Sequence, residues 1–402
     1  MPDQARKPLL VAKGAFAAMG GAEMDLIRVL PAINGIYDVT MATIQPSAEL
    51  VETCSKHSIT LLKPESEWVL PIDPVSVILD HGRGTASKAW KSLEGLDEAM
   101  ASSSALHMVS GDGSLPLLDH VPEGLKVHLH LLEPHRGLYE DTLHRLVDGS
   151  PKRNLALTRA VLSRARRRDQ SLMSSLIATE GSKVSGNSSF SAQRAKEVYG
   201  AEAGILWPCV DTSEFHRDHS RDPKNPYQGD GEYVVCIGRA SWAKGTWETI
   251  SMLSGTGLSL AHVGGGEAGP IDKLRSHSES CGVPIWVAPR LSSPELVSLM
   301  RGSRAVVSMA HNESFGLTPI ETFAVGVPAL FVDEGGFRDT VQDGVNGRLI
   351  ERGDIKGWHS ALDQAADPRV RESWAERGLQ RIQELDLSPE AHAKRIEHIL
   401  SE

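Results

Sequence analysis

Glu313 and Glu321 stand eight positions apart in the stretch "HNESFGLTPIETFAVG", His311 to Gly326. Carboxylates of this kind accept hydrogen bonds from sugar hydroxyls. The stretch follows the apolar run "RAVVSMA", which reads as a strand, and Thr318 begins a helix. Pro319 fits the first helical position, where a missing N–H costs nothing. Thr318 and Glu321 have the spacing of a capping box, which offers Glu321 a purely structural role. That role leaves Glu313 unexplained. It also leaves Phe315 and Gly316 unexplained, where glycine lets the backbone approach a ligand closely. The free N–H groups of a helix start attract phosphate. Phosphate donors beside two sugar-gripping carboxylates suit a sugar nucleotide.

A second motif, "CIGRASWAKGT", runs from Cys236 to Thr246. Gly238 and Arg239 end a strand, and Lys244 follows in the loop. Arginine as a fork and lysine as a point charge can grip a diphosphate; the alternative is a pair of solvated surface cations. In "HVGGGEAG" the glycines Gly264, Gly266 and Gly269 match G-x-G-x-x-G after a strand. No acidic residue for a ribose follows in "VPIWVAP", and Pro270 comes directly after the third glycine. A glycine turn lining a nucleotide pocket, Gly265 included, is a sufficient reading. Near the start, "GAFAAMGGAEMDLIRVL" places Gly20 and Gly21 between a strand and an amphipathic helix, where backbone amides can approach a phosphate.

"KVHLHLLEPHRGLYED" carries His128, His130 and His135 in and just after a strand. Histidines at i and i+2 share a strand face, so a metal pair is conceivable. No third ligand accompanies them, and a polar core or cleft position is the simpler reading. His130 and His135, with Arg136 beside them, are candidates for touching substrate. Between Lys152 and Arg168 stand seven basic residues and no acid, interleaved with Leu155, Leu157, Val161 and Leu162. A basic amphipathic helix can lie on an anionic membrane or meet an anionic acceptor. It can equally be a solvated face.

These groups need elements to hold them. The chain has 402 residues, which suits two domains. Its 40% hydrophobic and 23% charged residues are ordinary soluble composition. The net charge of −10 argues against a general nucleic-acid binder. Cys54, Cys209, Cys236 and Cys281 form no C-x-x-C and read as free thiols in a reducing compartment. No apolar run approaches a membrane span, so a cytoplasmic protein is expected, with peripheral contact to the inner membrane face left open. Runs such as "PLLVAKG", "YDVTMATI", "SALHMVSG" and "KVHLHLL" in the first half, and "EYVVCIGRA", "LSLAHVGGG", "VPIWVAP", "RAVVSMA" and "VPALFVD" in the second, read as buried strands alternating with helices. The predicted fold class is α/β, with two Rossmann-like doubly wound domains facing across a cleft. Ligands then bind beyond the carboxyl ends of the strands. The charged, proline-bearing segment 211–232 reads as a linker between domain 1–210 and domain 233–375. Residues 376–402 read as a helical segment able to pack back on the first domain.

Together these residues resemble the family-4 glycosyltransferases, retaining enzymes of the GT-B fold (glycosyl transferases group 1). The E-x7-E pair Glu313–Glu321, the internal "FGLTPIE", and the upstream "GR" and "KG" carry the likeness. So do "WVAPRLSSPELVSLM", "VPALFVDEGGFRDTVQDGVNGRLI", "VSGNSSFSAQRAKEVYG" and "WPCVDTSEF". The likeness covers nearly the whole second half and is looser in the first, where acceptors bind.

The resemblance implies that Arg239 and Lys244 hold the diphosphate of a nucleoside-diphosphate sugar, UDP- or GDP-linked. Glu313 would contact the transferred sugar, with the amides of Phe315, Gly316 and Leu317 nearby, and Glu321 would bind the ribose. Arg290 and Leu291 would border the base. Gly21 would face the diphosphate from the first domain, and His130 would touch the sugar. Pro289 and Trp242 depart from the usual pattern, which leaves the base open. The implied reaction transfers a hexosyl group, with retained configuration, to a glycan, lipid-linked or other hydroxyl acceptor. No D-x-D triplet occurs, so no metal and no other cofactor are expected, and no nucleic acid. Competing readings are a sugar-nucleotide-binding protein without transfer, a sugar-phosphate or glycogen-type synthase of the same fold, and a nucleotide-dependent dehydrogenase. The sequence names neither sugar, base, acceptor, linkage nor oligomeric state.

Overall fold

A computed structural model describes residues 6–16, 20–71, 81–218, 220 and 223–402. Among them the chain forms two compact units. The first unit contains seven parallel strands: β1 (Pro8–Ala12), β2 (Asp38–Ala42), β3 (Thr60–Leu62), β4 (Leu106–Val109), β5 (Val127–His130), β6 (Lys183–Gly186) and β7 (Ala203–Ile205). Their order across the sheet is β3-β2-β1-β4-β5-β6-β7. The second contains β8 (Tyr233–Ile237), β9 (Ser259–Val263), β10 (Ile285–Ala288), β11 (Val306–Ser308), β12 (Ala329–Val332) and β13 (Arg348–Ile350). Their order is β10-β9-β8-β11-β12-β13.

Several strands are buried along their whole length. β4, β9, β11 and β12 show no residue outside the interior. Helices cover both faces of a parallel sheet, so such strands read as unbroken apolar runs rather than as alternation. In the first unit one apolar cluster gathers Leu10, Leu106, Met108, Leu129 and Met173 on one side of the sheet. A second gathers Leu9, Val11, Leu26, Ile33, Ala393 and Ile396 on the other. The helices start on local chemistry. Ser388 accepts from the Ala391 N–H at 3.2 Å ahead of helix Pro389–Ser401, and Pro389 occupies its first turn. Ser188 accepts from Ser191 N at 3.0 Å ahead of helix Ser189–Tyr199.

Strand order reverses between β1 and β4 in the first sheet and between β8 and β11 in the second. Such a switch point leaves a crevice at the strand ends. In the second unit the exits of β8 and β11 are the segments that carry Lys244 and Glu313.

The division of the chain differs in part from the sequence expectation. The first unit comprises 1–139, 156–210 and 387–402, and the second comprises 140–155 and 211–386. Residues 140–155 thus pack with the second sheet, although they precede it by some distance in the chain. Segment 211–232 is an integral part of the second unit: Tyr227 stacks on Tyr233 at 3.9 Å, and Asn225 donates to the Tyr233 hydroxyl at 2.7 Å. The C-terminal break falls after Asp386 rather than at 375/376. Helix Pro368–Leu385 stays with the second unit because Gly378 lets it lie directly on Phe323 of helix Thr318–Val325. Only helix Pro389–Ser401 joins the first unit, where it packs against helix Gly21–Ile36. No helix among the described residues is long and apolar enough to cross a membrane.

Candidate functional site

Beyond β8 the chain turns at Gly238, and Ala240 N donates to the carbonyl of Gly265, in the turn after β9, at 2.8 Å. A single turn, Trp242–Lys244, follows and ends at Gly245. Beyond β11 the chain passes Met309 and Ala310 to His311. The two loops are tied together where His311 N donates to the Ala243 carbonyl at 2.9 Å. Lys244 Nζ reaches Glu313 Oε2 at 2.7 Å. The two members of this pair are 36% and 22% exposed, so both face solvent while fixing each other. Arg239 is exposed at the end of β8. Arg290 is exposed and Leu291 half-buried in the turn after β10.

Glu313 is held from behind. Gly336 N donates to its carbonyl at 2.7 Å. Phe315 is buried, and Gly316, at φ +81°, faces the ring of Phe337 so closely that a Cβ would sit 2.5 Å from it. Leu317, not Thr318, is the helix N-cap, Thr318 is the first helical residue, and its carbonyl accepts from Thr322 Oγ1 at 2.6 Å. Pro319 therefore sits one place further into the first turn. Glu321, half-buried, lies a turn inside the helix, with its own N–H bonded to the Leu317 carbonyl at 3.1 Å.

A charged network lies beside the pair, and the sequence did not disclose it. Arg352, two residues after β13, donates to Glu334 at 2.7 and 2.9 Å and to Glu248 at 3.0 Å. It also donates to the carbonyl of Met309 at 2.8 Å and reaches that of Ala310 at 3.3 Å. Burial opposes its charge, but the bonds to Glu334 and Glu248 outweigh burial and raise its pKa above the ordinary value. His311 Nε2 lies 2.8 Å from Glu248, and the imidazole stacks on Trp242 with ring centres 4.7 Å apart. Glu248 and Arg352 are 104 positions apart, so no local spacing could have paired them.

In the first unit Gly20 is the N-cap of helix Gly21–Ile36, and its N–H donates to Glu23 at 3.0 Å. Glu23 is paired at 3.0 Å with Lys13, which is only 1% exposed and also donates to the Ser110 carbonyl at 3.1 Å. The lysine that interrupts "LLVAKG" is thus a buried anchor for the glycine turn.

His130 is no open cleft residue. It is 1% exposed and lies with His107, His128 and His392 in one buried group. His107 and His128 share a hydrogen bond of 3.0 Å between their Nδ1 atoms. His128 Nε2 meets Ser185 at 2.8 Å, and His392 Nδ1 meets the Trp207 carbonyl at 2.7 Å. Burial first, then the neighbouring histidines, pushes His130 and His128 well below the ordinary imidazole value. His107 falls to about 3 through burial and His392. His392 falls to about 4, mainly through burial. Among the described residues no His, Cys, Asp and Glu group has the arrangement of a metal site. His135 is exposed, and Arg136 lies 3.9 Å from Glu133. The basic stretch is two helices rather than one, Leu155–Val161 and Ser163–Ala178, meeting at Leu162. Lys152, Arg153, Arg159, Arg164 and Arg167 are exposed, as is Leu157 at 64%.

Residues 218–381 match the family model described as glycosyl transferases group 1. Among characterised relatives, the chain is similar to the D-inositol 3-phosphate glycosyltransferase of Rhodococcus erythropolis: 30% identical over 214 residues, 48% of each chain. It is also similar to that of Acidothermus cellulolyticus, 27% identical over 201 residues, 45% of this chain and 44% of the relative. The matches thus span less than half the length of those relatives. Among solved structures, a sucrose-phosphate synthase from Thermosynechococcus elongatus superimposes with a TM-score of 0.69 at 14% identity, covering 98% of both chains. The Anabaena protein HepE, solved in complex with UDP-glucose, gives 0.65 at 15% identity over 98% of this chain and 99% of its own. The fold, with its two parallel sheets of seven and six strands, is therefore that of the GT-B glycosyltransferases.

Proposed function

From a chain whose residues 218–381 match the glycosyl transferases group 1 family model, we infer a transferase that moves a hexosyl group from a nucleoside-diphosphate sugar to a hydroxyl acceptor. Configuration is retained and no metal takes part. The observation that carries this reading is the Lys244–Glu313 pair, 2.7 Å apart at the strand-order reversal of the second sheet. Crevices at such reversals are where open α/β sheets take their ligands.

Within the second unit the roles are those that the resemblance to the family-4 glycosyltransferases implies. Lys244, with Arg239 exposed at the neighbouring strand exit, supplies positive charge for the diphosphate. Glu313 accepts from hydroxyls of the transferred sugar, and Glu321 from the ribose. Arg290 and Leu291 border the base. As the glycosidic bond breaks, negative charge grows on the leaving diphosphate. A cation already fixed in place stabilises that charge without reorganisation. The leaving phosphate then takes the acceptor's proton on the face it departs from, which retains configuration. HepE bound to UDP-glucose favours a UDP-linked donor. The acceptor is an anionic hydroxyl compound: relatives named for inositol 3-phosphate point that way, and so does the exposed basic run 152–168. A membrane-borne acceptor, met at the inner face of the cytoplasmic membrane, fits the same charge.

The test is donor binding followed by transfer. Thermal shifts with UDP-, GDP-, ADP- and dTDP-sugars identify the donor, since ligand at 100 times its dissociation constant adds ~2.7 kcal/mol. With that donor, Lys244→Ala lowers turnover about 10²–10³-fold, and EDTA leaves the wild-type rate unchanged. A fully active Lys244→Ala enzyme refutes the assignment of the pair, and loss of rate with EDTA refutes metal independence.

A further inference from the structure

Residues 144–152 form a small hairpin within the second unit. Arg145 pairs with Pro151, Leu146 N donates to Ser150 O at 2.8 Å, and Lys152 N donates to His144 O at 2.9 Å. Arg145 braces the tip by donating to the Gly149 carbonyl at 2.7 Å. Beside the tip, Asp148 binds Lys273 of helix Ala268–Cys281 at 2.7 Å. That bond and the one from Ser150 hold the Asp148 carboxyl down at about 2. The tip itself is Gly149, at φ +79°, laid against the indole of Trp242: a Cβ there would stand 2.8 Å from two ring carbons.

Trp242 touches both loops of the candidate site. It opens the single turn that ends in Lys244. It also stacks on His311, which begins the loop leading to Glu313. The hairpin lies wholly outside residues 218–381. A three-residue turn has few contacts of its own, and a lysine side chain loses much rotamer freedom when it binds. A grip formed in advance avoids that cost at the moment of binding.

We propose that the 144–152 hairpin, through Gly149 and Trp242, is the positioning element of the Lys244 turn and sets how strongly this chain holds a diphosphate. The inference rests on the donor reading above. Gly149 and Trp242 touch no ligand in this scheme and act through Lys244 and the His311 loop.

The experiment measures UDP and UMP binding to the full chain by calorimetry, with GDP and GMP in parallel. Gly149→Val and Trp242→Ala each weaken diphosphate binding about tenfold, the worth of one charge-assisted hydrogen bond. Monophosphate binding stays at its wild-type strength, so the diphosphate-to-monophosphate ratio falls. Trp242→Phe, which keeps an aromatic face, restores most of that ratio. General loosening of the unit would weaken both nucleotides together and would overturn the proposal. A wild-type ratio in both variants would overturn it too. If Gly149→Val does not fold, the Trp242 pair decides alone. Lys244→Ala separates the two claims. If it keeps the wild-type ratio, the donor reading fails and this proposal with it. If it loses the ratio while the hairpin variants do not, only the role of the hairpin fails.

Discussion

Arg352 shows how much a single side chain can hold. Its planar fork spans two carboxylates and two main-chain carbonyls. Removing it leaves Glu248 and Glu334 close together and without their shared cation. Both acids are only 18% and 30% exposed, so solvent screens the loss in part. Arg352→Ala should lower unfolding stability by about 2 kcal/mol, the range for bonds to charged groups. Arg352→Lys should recover less than half of this, since a point charge cannot bridge both partners. Urea melts of the three proteins check the order wild type, lysine, alanine; equal stability of all three would show the network to be worth nothing. Because Arg352 also pins the Met309 and Ala310 carbonyls, the alanine variant should bind donor more weakly even where it is fully folded.

At the scale of elements, helix Pro389–Ser401 brings His392 to the buried histidines of β4 and β5. All four are neutral in the fold, with values pushed far below 6.5. The unfolded chain takes up protons below about pH 6.5, whereas in the fold His392 and His107 do so only at about 4 and about 3, and His128 and His130 are also held well below 6.5. Stability is therefore full at neutral pH and is lost as pH falls through this window. His107 and His392, which stay neutral at pH 5, each cost about 2 kcal/mol by that pH. Asp25 works the other way. Burial raises its carboxyl to about 7 against the bond from Cys209 N and the charge of Arg28, so protonation at low pH relieves it. One acid does not offset four imidazoles. The thermal midpoint should fall steeply between pH 7 and 5, and less steeply in His107→Leu. A flat midpoint over that range would mean that the cluster admits protons while folded. The strands themselves were unevenly legible. The long apolar ones stood out, but β3, β7 and β13 have three residues each and are sheet edges with mixed exposure, so no apolar run marks them.

At the scale of the molecule, a net charge of −10 coexists with seven basic residues and no acid between 152 and 168. Screening confines each field to about 8–10 Å at physiological salt, so a membrane surface would meet the local charge rather than the total. Each basic residue near an anionic surface is worth about 1 kcal/mol. The chain should sediment with anionic vesicles at low salt and not with zwitterionic ones. Arg164→Glu with Arg167→Glu should abolish that binding. Binding that persists in high salt, or in the double variant, would point to another surface.

The sequence alone determined the α/β class and the presence of two parallel sheets. These are local properties: apolar runs, glycine turns and proline starts act over a few neighbours. Only tertiary structure decided that Lys244 and Glu313 meet, that Arg352 stands behind them, that His130 is sealed among other histidines, and that residues 140–155 pack with the second sheet. Those facts depend on contacts between segments tens to hundreds of positions apart. Such contacts are set by strand order and helix packing, and no short window of residues encodes them.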